Sequence, residues 1–152
     1  MEVTMFEVRH IGSLGTLPIR QKVLRPYQPV EACLYGTDDA EGSFHVGAFH
    51  DEKLVSIASF CLAHHEELEG TFHYRLRAMA TLPEYRRMGA GRQVVQYAEE
   101  ILREKGVDIL WCQGRTSVIA YYESLGFLPQ GEVFDYPPIG PHILLFKKLS
   151  GR

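Results

Sequence analysis

Residues 86–91 read Arg86-Arg87-Met88-Gly89-Ala90-Gly91, the pattern R-x-x-G-x-G, between an alternating run that ends near Thr81 and an amphipathic run that begins near Gly91. A chain written this way has to pass from strand to helix through a tight glycine turn, which points to a mixed α/β fold. The junction also suits a phosphate-bearing ligand. Glycines without Cβ let the backbone bend around oxygens, successive N–H groups point into the turn, and the helix start adds partial positive charge. The candidate loop comprises Arg86, Arg87, Met88, Gly89, Ala90, Gly91 and Arg92. No Lys-Ser or Lys-Thr follows the last glycine, and no G-x-G-x-x-G opens a repeated strand–helix–strand unit, so ATP and NAD are disfavoured.

The rest of the chain extends the alternation of strands and helices. Phe6 to Ile11 reads as a strand and Leu17 to Leu24 as a short helix stopped by Arg25-Pro26. Gly36 to Gly42 is a turn cluster. Phe44 to Phe49 and Leu54 to Ala63 form a hairpin across Asp51-Glu52-Lys53, and Phe72 to Thr81 is a further strand. Val94, Tyr97, Ala98, Ile101 and Leu102 recur at helical spacing, with Gly106 as the stop. Val107 to Gln113 is apolar like a buried parallel strand, Ser117 to Leu125 is a helix closed by Gly126, and Phe127 to Phe134 and Ile143 to Lys147 complete a mixed sheet. In such sheets ligands gather where neighbouring strands diverge at their C-terminal ends, here near Thr81 and Gln113. No repeat or linker interrupts residues 1–152, which read as one domain.

Tyr121-Tyr122-Glu123-Ser124-Leu125-Gly126-Phe127 follows the glycine loop after one helix and one strand. Together the two motifs resemble the GNAT superfamily of N-acetyltransferases, whose R-x-x-G-x-G/A loop grips the pyrophosphate of acetyl-CoA. The resemblance extends over almost the whole chain to the bacillar group that includes glyphosate N-acetyltransferase. It runs through Leu24-Arg25-Pro26, Glu31-Ala32-Cys33, Leu76-Arg77, Met79-Ala80-Thr81, Trp111-Cys112, Arg115-Thr116-Ser117-Val118 and Pro137-Pro138-Ile139-Gly140-Pro141-His142. Arg115 stands where the wider superfamily usually has Asn, Val118 where it often has Ala, and Ala78 where the close group often has Gly. The resemblance implies a single-domain GNAT fold with a central twisted sheet flanked by helices. It also implies acetyl-CoA as cosubstrate, with the backbone of Met79, Ala80 and Thr81 pairing with the pantetheine amides.

At 152 residues, 45% hydrophobic and 23% charged, the chain can bury roughly 68–70% of its unfolded surface. A net charge of −3 gives no electrostatic reason to expect nucleic acid as a partner. Cys33, Cys61 and Cys112 are an odd number in apolar surroundings, as in a reduced cytoplasmic protein. No apolar stretch approaches the roughly 20 residues that cross a bilayer, and Met1-Glu2-Val3 opens no signal peptide. A soluble cytoplasmic protein is expected, its oligomeric state open.

Acetyl transfer from a thioester needs a held donor, a neutral amine and a proton for the departing thiolate. A typical alkylamine has a pKa of about 10, so on the order of one molecule in a thousand is neutral at pH 7 and a base is useful. An imidazole of pKa ~6.5 can serve, and His142 follows prolines that limit backbone freedom; it could equally open the last strand and bond a carbonyl. The resemblance makes His142 the base and Tyr122 the acid, whereas a tyrosine there could simply pack in the core. It also makes Arg25, Arg77 and Arg115 an anion clamp for the acceptor, through bidentate guanidinium contacts. A solvated polar face is the other reading of Arg75 and Arg77, which share a strand face opposite Leu76 and Ala78. Cys61, His64, His65 and His73 do not suggest a metal site, because adjacent histidines on a strand point to opposite sides.

The expectation is an acetyl-CoA-dependent N-acetyltransferase that acts by direct attack on a small acidic amine, such as an amino acid or a glyphosate-like aminophosphonate. Its rivals are a catalytically silent acyl-CoA sensor and an enzyme acetylating proteins or peptides. A sensor has no need of Tyr122, His142 and three arginines, and peptide acceptors usually favour an acidic groove.

Overall fold

The computed structural model describes residues 6–149. Met1-Glu2-Val3, read above for the absence of a signal peptide, lie outside the described residues. The elements follow the expected order: β1 (Glu7–Ile11), α1 (Ser13–Ile19), β2 (Phe44–His50), β3 (Lys53–Leu62), β4 (His73–Thr81), α2 (Ala90–Glu104), β5 (Ile109–Arg115), α3 (Ile119–Ser124), β6 (Leu128–Tyr136) and β7 (Gly140–Lys148). The seven strands form one mixed sheet in the order β1-β2-β3-β4-β5-β7-β6. The described chain divides into two compact units, one of residues 6–62 and 76–101, the other of residues 63–75 and 102–149.

In the first unit β1, β2 and β3 pair antiparallel, with Glu7 opposite Phe49 and Phe44 opposite Phe60. The hairpin turn has two residues rather than three: Lys53 already pairs with His50, and Asp51 and Glu52 both take positive φ, at 50° and 69°. That conformation matches the right-handed strand twist but is one that Asn-Gly normally supplies. Val46, Ala48, Val55, Ile57, Val94 and Ala98 are fully shielded from solvent and form this unit's core.

Helix α1 begins earlier than the pattern predicts, at Ser13, and ends at Ile19, where Arg20–Leu24 open into a π turn. The Arg25 N–H closes that turn on the Arg20 carbonyl at 3.0 Å. The sequence reading missed this because periodicity cannot distinguish a widened turn from a regular one. Short 3-10 turns at Val30–Cys33 and Pro83–Tyr85 were also not legible.

In the second unit β4 and β5 pair in parallel from His73 and Ile109 to Arg75 and Trp111. β5 and β7 pair antiparallel along their length, and β6 closes on β7. Leu68, Ile109, Trp111 and Leu144 form a buried cluster, with the Trp111 indole N–H donating to the Ala63 carbonyl at 2.8 Å. His73 is occupied structurally: Nδ1 accepts from the His65 N–H at 3.1 Å and Nε2 donates to the Glu69 carbonyl at 2.8 Å. Its ring stacks on His64 at 4.2 Å.

Candidate active site

In the first unit the glycine pattern forms a turn over residues 86–89, and α2 starts at Ala90, one residue before the expected Gly91. The two glycines have different work. Gly89 has φ +89°, a conformation only glycine adopts freely, and a Cβ there would meet nothing within 4 Å. Gly91 is instead buried in the first turn of α2. Arg87 also lies in the left-handed region at φ 67°, so the turn bends twice with an exposed basic side chain at the bend. Arg86 reaches back from its Nε to the Thr81 carbonyl at 3.3 Å. Thr81 is tied to β3 through its hydroxyl, 2.8 Å from the Ser56 hydroxyl, which donates to the Ala80 carbonyl at 3.3 Å.

Ala78 has φ 54° within β4. That is the left-handed region, which favours glycine over any residue with a Cβ. Arg75 donates to the Gln113 amide oxygen at 3.0 Å, whereas Arg77 stacks over Tyr35 with its guanidinium carbon 4.4 Å from the ring centre.

Arg25 belongs to the same group, 5.8 Å from the Tyr35 ring centre. Among the described residues neither Arg25 nor Arg77 has an ion-pair partner, and the buried Arg25 Nε has no hydrogen-bond acceptor. Beneath them Arg20, fully buried, donates through both terminal nitrogens to the Asp38 carboxylate at 2.7 and 2.8 Å, and also to the Cys33 carbonyl and the Ser59 hydroxyl. Burial would raise the Asp38 pKa, but hydrogen bonds from Arg20 and the Tyr35 N–H, with the Arg20 and His45 charges, outweigh it and hold the carboxyl below its ordinary value. Sequence reasoning found Arg25 and Arg77 but missed Tyr35, Arg20 and this network. The only hint was Asp38 within the turn cluster.

In the second unit three predicted residues from separate segments gather at the end of β5. Arg115 is the last residue of that strand rather than lying beyond it, and His142 is its register partner on β7. Tyr122 on α3 lies over Gly114: a Cβ at 114 would come within 3.0 Å of the Tyr122 ring and 2.7 Å of Leu145. Glycine at 114 is therefore what allows the phenol to settle there. Tyr121 next to it is exposed.

His142 is buried, and its Nδ1 lies 2.9 Å from the Gly140 carbonyl. A carbonyl only accepts, so Nδ1 carries a proton, and in the neutral ring Nε2 holds the lone pair. The Tyr136 ring lies 4.8 Å from the imidazole and Phe134 6.1 Å. Burial pushes the Tyr122 phenol well above the ordinary tyrosine range, with Cys112 and Tyr121 adding to the shift and the Arg115 charge opposing it. Burial likewise raises the Cys112 thiol. The phenol thus stays a proton donor, and Cys112 stays an unreactive thiol.

The chain belongs to the acetyltransferase (GNAT) family, whose model matches residues 16–127. It is 47% identical over 145 residues to the uncharacterized N-acetyltransferase YitI of Bacillus subtilis (strain 168), covering 95% of this chain and 97% of that protein. Over 52 residues it is 42% identical to the ribosomal protein bS18-alanine N-acetyltransferase of Escherichia coli (strain K12), covering 32% of this chain and 35% of that one. Among solved structures, the Escherichia coli ribosomal-protein-S18-alanine N-acetyltransferase shares the fold with a TM-score of 0.71 at 20% identity, over 97% of this chain and 96% of that chain. An aminoglycoside 6'-N-acetyltransferase complexed with coenzyme A shares it with a TM-score of 0.74 at 14% identity, over 96% and 98%.

The protein is thus an acyltransferase, an N-acetyltransferase of a family that uses acetyl-CoA. Its loop fits a diphosphate on its own geometry. The space over Gly89 is open, and Arg86, Arg87 and Arg92 are exposed around the start of α2. Among the described residues no group of three His, Cys, Asp or Glu side chains could hold a metal ion, and no helix is long and apolar enough to cross a membrane.

Proposed function

We propose that the protein acetylates a small amine that also carries acid groups, an amino acid or a glyphosate-like aminophosphonate, by direct transfer in a single cytoplasmic domain. The carrying observation is the pair Arg25 and Arg77, two guanidiniums held against one tyrosine ring with no carboxylate among the described residues to balance them. Uncompensated cations in a partly buried setting favour an anionic ligand. In the other unit, Arg115 offers a guanidinium fork suited to a carboxylate or phosphonate oxygen.

Acetyl-CoA, when bound, supplies the acetyl group as a thioester. Arg86, Arg87, Met88, Gly89, Ala90, Gly91 and Arg92 hold its diphosphate through backbone N–H groups and guanidiniums, and Met79, Ala80 and Thr81 offer strand backbone to the pantetheine amides. His142 takes the proton of the acceptor amine on Nε2 while the Gly140 carbonyl keeps Nδ1 protonated. Tyr122 keeps its proton until the thiolate departs and donates it there. Cys112, buried and with a raised pKa, takes no covalent part.

A screen of amino acids, aminophosphonates, polyamines and peptides for CoA release tests the reading. Turnover concentrated among acidic amines is expected. Turnover confined to peptides, or none anywhere on the panel, overturns it.

A further inference from the structure

We propose that Tyr35 is the positioning residue of the acceptor site: its ring holds Arg77 and Arg25 in place and thereby sets how strongly the protein selects acidic amines. This rests on the acceptor reading above and deepens it. The ring has guanidinium carbons of Arg20 at 4.3 Å, Arg77 at 4.4 Å and Arg25 at 5.8 Å from its centre. All three lie inside the range in which a ring quadrupole attracts a cation.

The three arginines differ in what else holds them. Arg20 sits wholly inside the protein, its two terminal nitrogens on Asp38, Ser59 and the Cys33 carbonyl while its Nε has no acceptor. Arg77 and Arg25 have no carboxylate partner among the described residues, so the negative face of Tyr35 is the electrostatic counterpart they have in common. Two like charges sharing a small volume repel, and long arginine side chains lose rotamer entropy when ordered. A ring quadrupole within reach of both offsets part of both costs without neutralising either charge. A carboxylate in its place would cancel the field that an anionic acceptor must find.

Tyr35 is itself firmly anchored. Its N–H donates to the Asp38 carboxylate at 2.8 Å, the oxygen that also accepts from Arg20 at 2.7 Å. Asp38 is locked further by its carbonyl, 2.9 Å from His45 Nε2, while His45 Nδ1 lies 2.7 Å from the Ser59 hydroxyl that Arg20 reaches. The buried pair therefore fixes the backbone of residue 35, and the backbone aims the ring.

The test compares wild type, Tyr35→Phe, Tyr35→Leu and Arg77→Ala, with glyphosate, 2-aminoethylphosphonate and aspartate as acidic acceptors and a neutral alkylamine as control. Tyr35→Leu is expected to raise KM for the acidic amines roughly three- to tenfold, as the loss of a partly buried cation–π contact implies. The neutral amine's KM, kcat and the KM for acetyl-CoA stay unchanged. Tyr35→Phe, which keeps the ring, restores wild-type values. Equal shifts for acidic and neutral amines, or a fall in melting temperature and kcat without a KM split, overturn the proposal by reducing Tyr35 to a packing residue. Should Arg77→Ala raise the acidic KM while Tyr35→Leu does not, only the role of Tyr35 falls. Should Arg77→Ala leave the acidic preference intact, or wild type turn over none of the three, the acceptor reading falls with it.

Discussion

Their surroundings leave Tyr122 a proton donor and the neutral His142 ring an acceptor at its second nitrogen. Burial beside Cys112 keeps the phenol protonated, and the Gly140 carbonyl reserves the Nδ1 proton so that the second imidazole nitrogen can accept. Loss of a general acid or base typically costs about 10²–10⁴-fold, so Tyr122→Phe and His142→Ala should each lower kcat by that order while calorimetric affinity for coenzyme A holds. A kcat within twofold of wild type in either variant removes that residue from its role. Arg115→Ala should raise KM for acidic amines more than for neutral ones. These three were candidates from the chain itself, through side-chain chemistry and the motifs that carry the resemblance. Tyr35 was not, since an aromatic between a cysteine and a turn has nothing local to mark it, and its three cationic neighbours come from distant positions.

Elements were read well where hydrophobic period and stop residues agree and less well where the backbone departs from a regular period. The β2–β3 hairpin turns on Asp51 and Glu52, both at positive φ, a strain that opposite-strand pairing outweighs. Glu52→Gly should therefore stabilise the protein by about 1 kcal/mol, a rise of about 2–4 °C in melting temperature for a chain of this size. An unchanged or lower Tm in calorimetry would show that the turn is not strained. In β5 the opposite constraint holds. A methyl at 114 would press on Leu145 and the Tyr122 ring, so Gly114→Ala should destabilise by about 1–3 kcal/mol. Because it displaces the phenol, kcat should fall with it. A stable, fully active Gly114→Ala would show that both neighbours give way easily. Nothing in the pattern Trp111-Cys112-Gln113-Gly114 announces that contact, which depends on where α3 settles.

Across the whole molecule, stability should carry an acid signature. The Asp38 and Asp108 carboxyls both lie below their ordinary values despite burial, Asp38 through Arg20 and the Tyr35 N–H, Asp108 through the N–H groups of Thr71 and Phe72. A depressed folded pKa means the unfolded chain binds the proton first. The stabilisation is therefore complete above the unfolded carboxylate pKa of about 3.9 and is lost as pH falls through the lower folded values. Urea titrations should show a falling midpoint below pH ~4, with a shallower fall in Asp38→Asn, whose midpoint at pH 7 is already lower because Arg20 loses its partner. Parallel acid limbs for the two proteins would count against the ion pair as the source. By itself the chain determined the alternation of strands and helices and the glycine turn before α2, and it offered candidates for the acid, the base and the arginines, because periodicity, φ preference and side-chain chemistry are local. Only the tertiary structure decided that Arg20 is buried on Asp38, that Tyr35 gathers Arg25 and Arg77, and that Gly114 makes room for Tyr122. Each of those depends on side chains far apart in sequence filling one shared space, where packing and desolvation outweigh any local preference.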